Sequence, residues 1–154
     1  MSDRASGGIY EDRSGPEIER VLGEQFDEPV EFECVLLPDE QHQIETALKH
    51  LCVSGCALIV TTGGTGPSAR DVTPEATRAV LEKELPGFGE VMRAVSFAKV
   101  PTAILSRATA GVRGKTLIVN LPGNPRAIAE CLPPLMRAIA EAIDHLAGFR
   151  PKLK

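Results

Sequence analysis

Two aspartates and a glycine-rich loop are the residues in this chain whose types and spacing fit chemistry. The string from Leu58 to Thr77, LIVTTGGTGPSARDVTPEAT, runs from a short apolar stretch into Gly63, Gly64, Thr65 and Gly66. It then reaches Asp71 and a Thr73-Pro74-Glu75 helix start, with Thr73 suited to the cap and Pro74 to the first helical position. Glycines let backbone N–H groups approach an anion, and a helix N-terminus adds partial positive charge. An acid beside such a loop fits a divalent cation held between carboxylate and phosphate. Asp39 closes another apolar run, LLPDEQ, also at a junction of strand and helix. Simpler uses exist for both features. The loop can be a plain turn, and Asp39 can cap the helix that follows it. The order of residues is neither that of a P-loop nor the G-x-G-x-x-G of a dinucleotide fold. Ser106-Arg107 sets a hydroxyl beside a guanidinium, a pair suited to phosphate. Pro122-Gly123-Asn124-Pro125 is a second turn before a helix, and Ser96 reads by pattern as a helix residue.

These residues need elements to hold them. Apolar periodicity predicts helices over 16–26, 40–53, 74–84 and 89–98, and a long one from the 122–125 turn through Leu146 that Pro133-Pro134 should break or restart. Alternating or continuous apolar runs predict strands over 30–37 and 57–61, and a hairpin over 108–113 and 115–120 turning at Gly114. Strands alternating with helices predict a three-layer α/β domain over 1–154, its sheet mostly parallel and covered by helices on both faces.

The length of 154 residues fits one domain with a sizeable core, and 43% hydrophobic with 25% charged residues is ordinary for a globular chain. A net charge of −4 argues against a nucleic-acid surface, and no apolar run approaches a membrane span. With no signal-peptide pattern either, a cytoplasmic location is expected. Cys34, Cys52, Cys56 and Cys131 read as buried reduced thiols, and His42, His50 and His145 have no partner at ligand spacing.

Several blocks, in order, resemble the molybdopterin adenylyltransferase family of molybdenum cofactor biosynthesis. They are SDRAS, DRSGP, LLPDEQ, TTGGTG, RDVTPEAT, PGFGEVMR and ILSRATAGVRGKTLIVNLPGNPRAIAECL. The resemblance implies transfer of AMP from Mg-ATP to the molybdopterin phosphate, with release of pyrophosphate. Asp39 and Asp71 would then be catalytic and hold Mg²⁺, and Gly63, Gly64, Thr65 and Gly66 would bind the nucleotide. Ser96, Ser106, Arg107 and the loop Pro122, Gly123, Asn124, Pro125 would line the pterin and phosphate pocket. Asp3 and Ser6 match the family's first motif. The resemblance further implies a homotrimer and a molybdenum-insertion protein as partner. The same fold also serves pterin-binding proteins without transferase activity and other nucleotide-hydrolysing enzymes. In relatives an apolar strand directly precedes the SDRAS-like motif. Here Met1 stands directly before Ser2, so the usual first strand is expected to be absent, and sequence upstream is expected to restore about 5–6 apolar residues.

Overall fold

The computed structural model describes residues 7–8 and 11–154, so Asp3 and Ser6 lie outside the described residues. The elements are α1 (Ser14–Gln25), α2 (Gln41–Val53), β1 (Leu58–Thr62), α3 (Thr73–Val80), β2 (Lys83–Glu84), α4 (Pro86–Phe97), a 3₁₀ turn (Pro101–Leu105), β3 (Ala110–Arg113), β4 (Thr116–Leu121) and α5 (Pro125–Ala147). Among the described residues the sheet has four strands in the order β1-β4-β3-β2. Only β1 and β4 run parallel, with Leu58 opposite Leu117 and Thr62 opposite Leu121. The β3–β4 and β2–β3 pairs are antiparallel. The expected mostly parallel sheet is therefore mixed. Its antiparallel half comes from the hairpin at Gly114, whose φ of 56° suits the left-handed position of a tight turn.

Helices cover both faces, as the alternation of elements predicts. On one face, Leu117, Val119 and Leu121 of β4 share a core with Ile18, Val21 and Leu22 of α1 and with the buried stripe of α5. On the other, Ile59 and Ile118 pack with Ile44 and Leu48 of α2 and with Ala76 and Val80 of α3. The register places Leu58 against Leu117 and Ile59 against Ile118, so each pair falls in one layer, the period-2 logic of a doubly covered sheet. Among the described residues, no helix is long and apolar enough to cross a membrane.

Four expectations of local structure need correction. Residues 30–37 form no strand; most are exposed, Phe32, Val35 and Leu36 among them. A strand needs a ladder partner, and this stretch has none among the described residues. It lies across a cavity of about 920 Å³ from β1, walled also by Ile18, Leu22 and Leu48. Cys34, carried on that stretch, is exposed, and only Cys131 of the four free thiols is buried. The helix over 74–84 stops at Val80, because the next residues leave to pair with β3: the Leu85 N–H donates to Ala110 O and the Glu82 N–H to Val112 O. Gly111 admits this approach, since a Cβ there would lie 2.3 Å from Leu81 Cδ1 and 2.4 Å from Lys83 O. Pro86 opens α4 instead of separating two elements, a position where its missing N–H costs nothing. Lastly, α5 runs unbroken for 23 residues through Pro133 and Pro134. Two interior prolines cost several kcal/mol at about 3 each. Burial of Ile128, Cys131 and Leu132 before them, and of Leu135, Met136, Ile139 and Ile143 after them, offsets that cost at roughly 1.5–3 kcal/mol per large side chain.

Candidate active site

The parallel pairing of β1 with β4 carries both glycine-containing loops to one rim of the sheet. The Gly63 N–H extends the ladder to Leu121 O at 3.2 Å, and Thr62 Oγ1 donates to Pro122 O at 2.8 Å. Gly123 then passes so near that a Cβ on it would stand 3.2 Å from Gly63 Cα. Ser14, at the start of α1, ties the second loop down by donating from Oγ to Gly123 O at 2.8 Å. Asn124 caps α5, its Oδ1 accepting the Arg126 N–H at 3.0 Å, with Pro125 in the first helical position. Thus the sequence-predicted loops 63–66 and 122–125 are neighbours. The bond from Ser14 is a contact that spacing does not signal, although Ser14 lies in the DRSGP block that carries the resemblance.

Both aspartates lean on the first loop. Asp39 Oδ1 lies 3.0 Å from the point a Cβ would occupy on Gly64, and Asp71 Oδ2 lies 2.9 Å from the corresponding point on Gly66. The Cα atoms of those glycines can be no more than about 7 Å apart. The two carboxylates therefore flank one short stretch, although they stand 32 positions apart in the chain. Asp71 Oδ2 accepts the Ser68 N–H at 2.9 Å and closes a small turn. Arg70, next to Asp71, reaches Glu40, next to Asp39, at 3.3 Å. This exposed pair bridges the two acid-bearing loops and contributes at most about 1 kcal/mol. Gly63 and Gly64 have φ of 86° and 63°, the left-handed region. Thr73 N donates to Gly64 O at 3.1 Å and Arg107 N to Thr65 O at 2.8 Å. The N–H groups of Gly64, Thr65 and Gly66 donate to no group among the described residues.

Thr73 does not cap α3. Its Oγ1 is buried without a hydrogen-bond partner among the described residues, and the helix begins one residue earlier than expected, capped from Val72 with no side-chain bond. The Arg107 guanidinium is engaged inside the fold: Nε donates to Gly66 O at 2.8 Å, Nη2 to Asp71 O at 2.7 Å, and Nη1 pairs with Glu75. Burial pushes the Glu75 carboxyl up, but the hydrogen bond and charge of Arg107 outweigh it and leave that group below its ordinary value. Ser106 sits beside this clamp, half-buried, its Oγ 3.4 Å from the Ala108 N–H. Arg93 holds the same turn by donating to Ser106 O at 3.3 Å and Ala108 O at 3.2 Å. Gly89 of the PGFGEVMR block gives that carbonyl room, since a Cβ on it would stand 2.3 Å from Ala108 O. Ser96 is placed elsewhere. Its Oγ is 3.1 Å from Cys131 Sγ, between α4 and α5, where it serves their packing.

The donors set against the loop are hard carboxylate oxygens of Asp39 and Asp71, and the described residues contain no cluster of three or more metal-binding side chains. That matches Mg²⁺, which keeps its waters and takes one or two carboxylates together with substrate phosphates. It does not match a cation caged wholly by protein.

Residues 1–142 match the family described as "Probable molybdopterin binding domain". The molybdopterin adenylyltransferase of Helicobacter pylori (strain J99) is 53% identical over 98% of this chain and 93% of its own. That of Escherichia coli (strain K12) is 49% identical over 94% of this chain and 75% of its own. Among solved structures, the molybdopterin biosynthesis enzyme MoaB of Thermus thermophilus superposes with a TM-score of 0.87 at 41% identity, covering 98% of this chain and 94% of that one. The tungsten cofactor synthesizing protein MoaB of Pyrococcus furiosus gives 0.83 at 35%, covering 94% and 91%. With fold, loop order and sequence in agreement over nearly its whole length, the chain belongs to the molybdopterin-binding domain family of molybdenum cofactor biosynthesis.

Proposed function

We propose that the protein is a molybdopterin adenylyltransferase. The molybdopterin phosphate oxygen bonds to the α-phosphorus of ATP, the bond from that phosphorus to the bridging oxygen breaks, and pyrophosphate leaves. The observation that carries this reading is the pair of aspartates, Asp39 and Asp71, set against one glycine loop with three N–H groups uncommitted among the described residues. Phosphoryl-type transfer asks little covalent chemistry of a protein. Catalysis lies in positioning and in neutralising charge.

In this reading Asp71 and Asp39 hold the Mg²⁺ that accompanies ATP, and the bound ion supplies charge neutralisation for the triphosphate. The N–H groups of Gly64, Thr65 and Gly66 bind phosphate oxygens. Loop 122–125 and Ser106 form the pterin side of the pocket. Glycine at 64 and 66 keeps the loop backbone close to both carboxylates, so one substrate can touch donors and metal together. A homotrimer is part of the same reading. Val91, Phe97, Val100, Ile104 and Leu105, on α4, the 3₁₀ turn and the link between them, are exposed apolar side chains that copies of the chain would bury against one another. A cytoplasmic location and a molybdenum-insertion protein as recipient of the product also belong to it.

The test is pyrophosphate release with molybdopterin and Mg-ATP. Asp71→Asn is expected to lower turnover by roughly a hundredfold or more, the usual loss when a transition-state electrostatic contact is removed. Undiminished turnover in that variant would refute the assignment. Tight molybdopterin binding by the unaltered chain with no pyrophosphate release would mark it as a pterin carrier instead.

A further inference from the structure

We infer that Arg107 is a positioning residue, a clamp that sets the aim of the glycine loop, and that it does not itself hold substrate phosphate. Four contacts carry the inference. The guanidinium bonds Gly66 O and Asp71 O, which lie five residues apart, and pairs with Glu75 in the first turn of α3, while the backbone N–H of Arg107 bonds Thr65 O. One planar fork thus closes the segment from Gly66 to Asp71 into a ring and fastens it to the helix. A lysine presents its donors from a single point and cannot span two such carbonyls and a carboxylate.

The clamp also determines where the loop's donors face. In a trans peptide the C=O and the next N–H point in opposite directions. With Thr65 C=O turned to Arg107, the Gly66 N–H must point away from it. With Gly64 C=O turned to the Thr73 N–H, the Thr65 N–H must point away from Thr73. The carbonyl ends of the loop are held inward and the N–H ends are left for an anion. The substrate side of this inference rests on the adenylyl-transfer reading above; the clamp itself does not.

The experiment combines site-resolved amide exchange on the ligand-free protein with steady-state kinetics in ATP. In Arg107→Lys, the amides that the loop's hydrogen bonds protect, those of Ser68, Asp71, Thr73 and residue 107, are expected to exchange at least tenfold faster, with α5 and β4 unchanged. Turnover should fall at least tenfold, with less change in the KM for ATP. Native loop protection together with a rise confined to that KM would overturn the inference, because a direct phosphate ligand behaves that way. Should Arg107→Lys lose protection throughout the molecule, Glu75→Gln decides. It removes one carboxylate and spares both carbonyl contacts, so faster loop exchange without tighter ATP binding supports the clamp. Tighter ATP binding, or unchanged loop exchange, overturns it. Absence of transferase activity in the unaltered protein would sink the adenylyl-transfer reading alone, since the exchange measurement needs no substrate.

Discussion

Gly64 and Gly66 stand two residues apart in one loop, yet alanine should do different things at each. At Gly64 two costs coincide. Its φ is +63°, so a Cβ brings left-handed strain of about 1–2 kcal/mol. The same Cβ would lie 2.3 Å from Thr73 Oγ1, and Thr73 is fully buried. Overpacking of that kind costs typically about 1–3 kcal/mol. Gly64→Ala should therefore destabilise the protein by about 2–5 kcal/mol, or roughly 5–20 °C in melting temperature for a chain of this size. At Gly66 no positive φ is involved, and the clash is with the carboxylate of Asp71 at 2.9 Å, a side chain that can swing aside. Gly66→Ala should cost under about 1 kcal/mol, within the range of a surface change. It should still lower turnover at least tenfold, because the displaced group is the proposed metal ligand. Thermal melts and pyrophosphate assays on both variants make the comparison. Thr73→Ala in the Gly64→Ala background should recover the steric part and leave the backbone strain, a coupling that a double-mutant cycle reads directly. A melting temperature for Gly64→Ala within about 2–3 °C of the parent would refute the packing argument. So would equal stability losses at the two glycines.

Two further outcomes follow from hydrogen bonding. The Glu75 carboxyl sits below its ordinary value of 4.5 in the folded state. Its contribution is therefore present above that pH and lost as pH falls through the lowered folded value; exchange of the hydrogen-bonded Asp71, Thr73 and Arg107 amides should rise relative to other bonded loop amides on acidification below about pH 4.5, and Glu75→Gln should abolish that acid limb. On β1, Ala57 O and Gly63 N bond β4, so the odd-numbered backbone groups face β4 and the even-numbered ones face the cavity; the amides of Leu58 and Val60 should exchange far faster than those of Ile59 and Thr61, and equal protection along the strand would mean that another segment covers this edge.

Much of the fold is legible in the sequence because its signals are local. The amphipathic periods of α1 and α2, the apolar run of β1 and the glycine at the β3–β4 turn each act within a few residues. The failures all involve partners distant in sequence. Residues 30–37 have the composition of a strand, but a strand exists only where a ladder partner does. The end of α3 escapes local reading because Leu81 and Lys83 are drawn to β3, and that attraction is written at Gly111, some thirty residues on. Two prolines read as a helix break because the local rule is strong. Burial along α5, summed over both sides of the prolines, exceeds it.

The site divides along the same line. Asp71 and the two glycine-bearing loops are findable because they follow the carboxyl ends of the parallel strands β1 and β4, whereas Asp39, with no strand before it among the described residues, is marked by the family resemblance. Arg107 shows where such reading stops. An arginine beside a serine near a glycine loop has the composition of a phosphate site, and its five N–H donors suit phosphate oxygens as well as they suit carbonyls. Which acceptor it meets depends on whether the chain can deliver Gly66 O, Asp71 O and Glu75 to one plane. No spacing in the string GGTGPSARDVTPE states this. It requires the turn that enters β3 to pass beside that loop, and Gly89 and Arg93 hold that turn from a third segment. A glycine loop without the clamp would keep its residues and lose its aim. Transfer at phosphorus demands aim above all, because the attacking oxygen, the phosphorus and the departing oxygen must lie nearly in line.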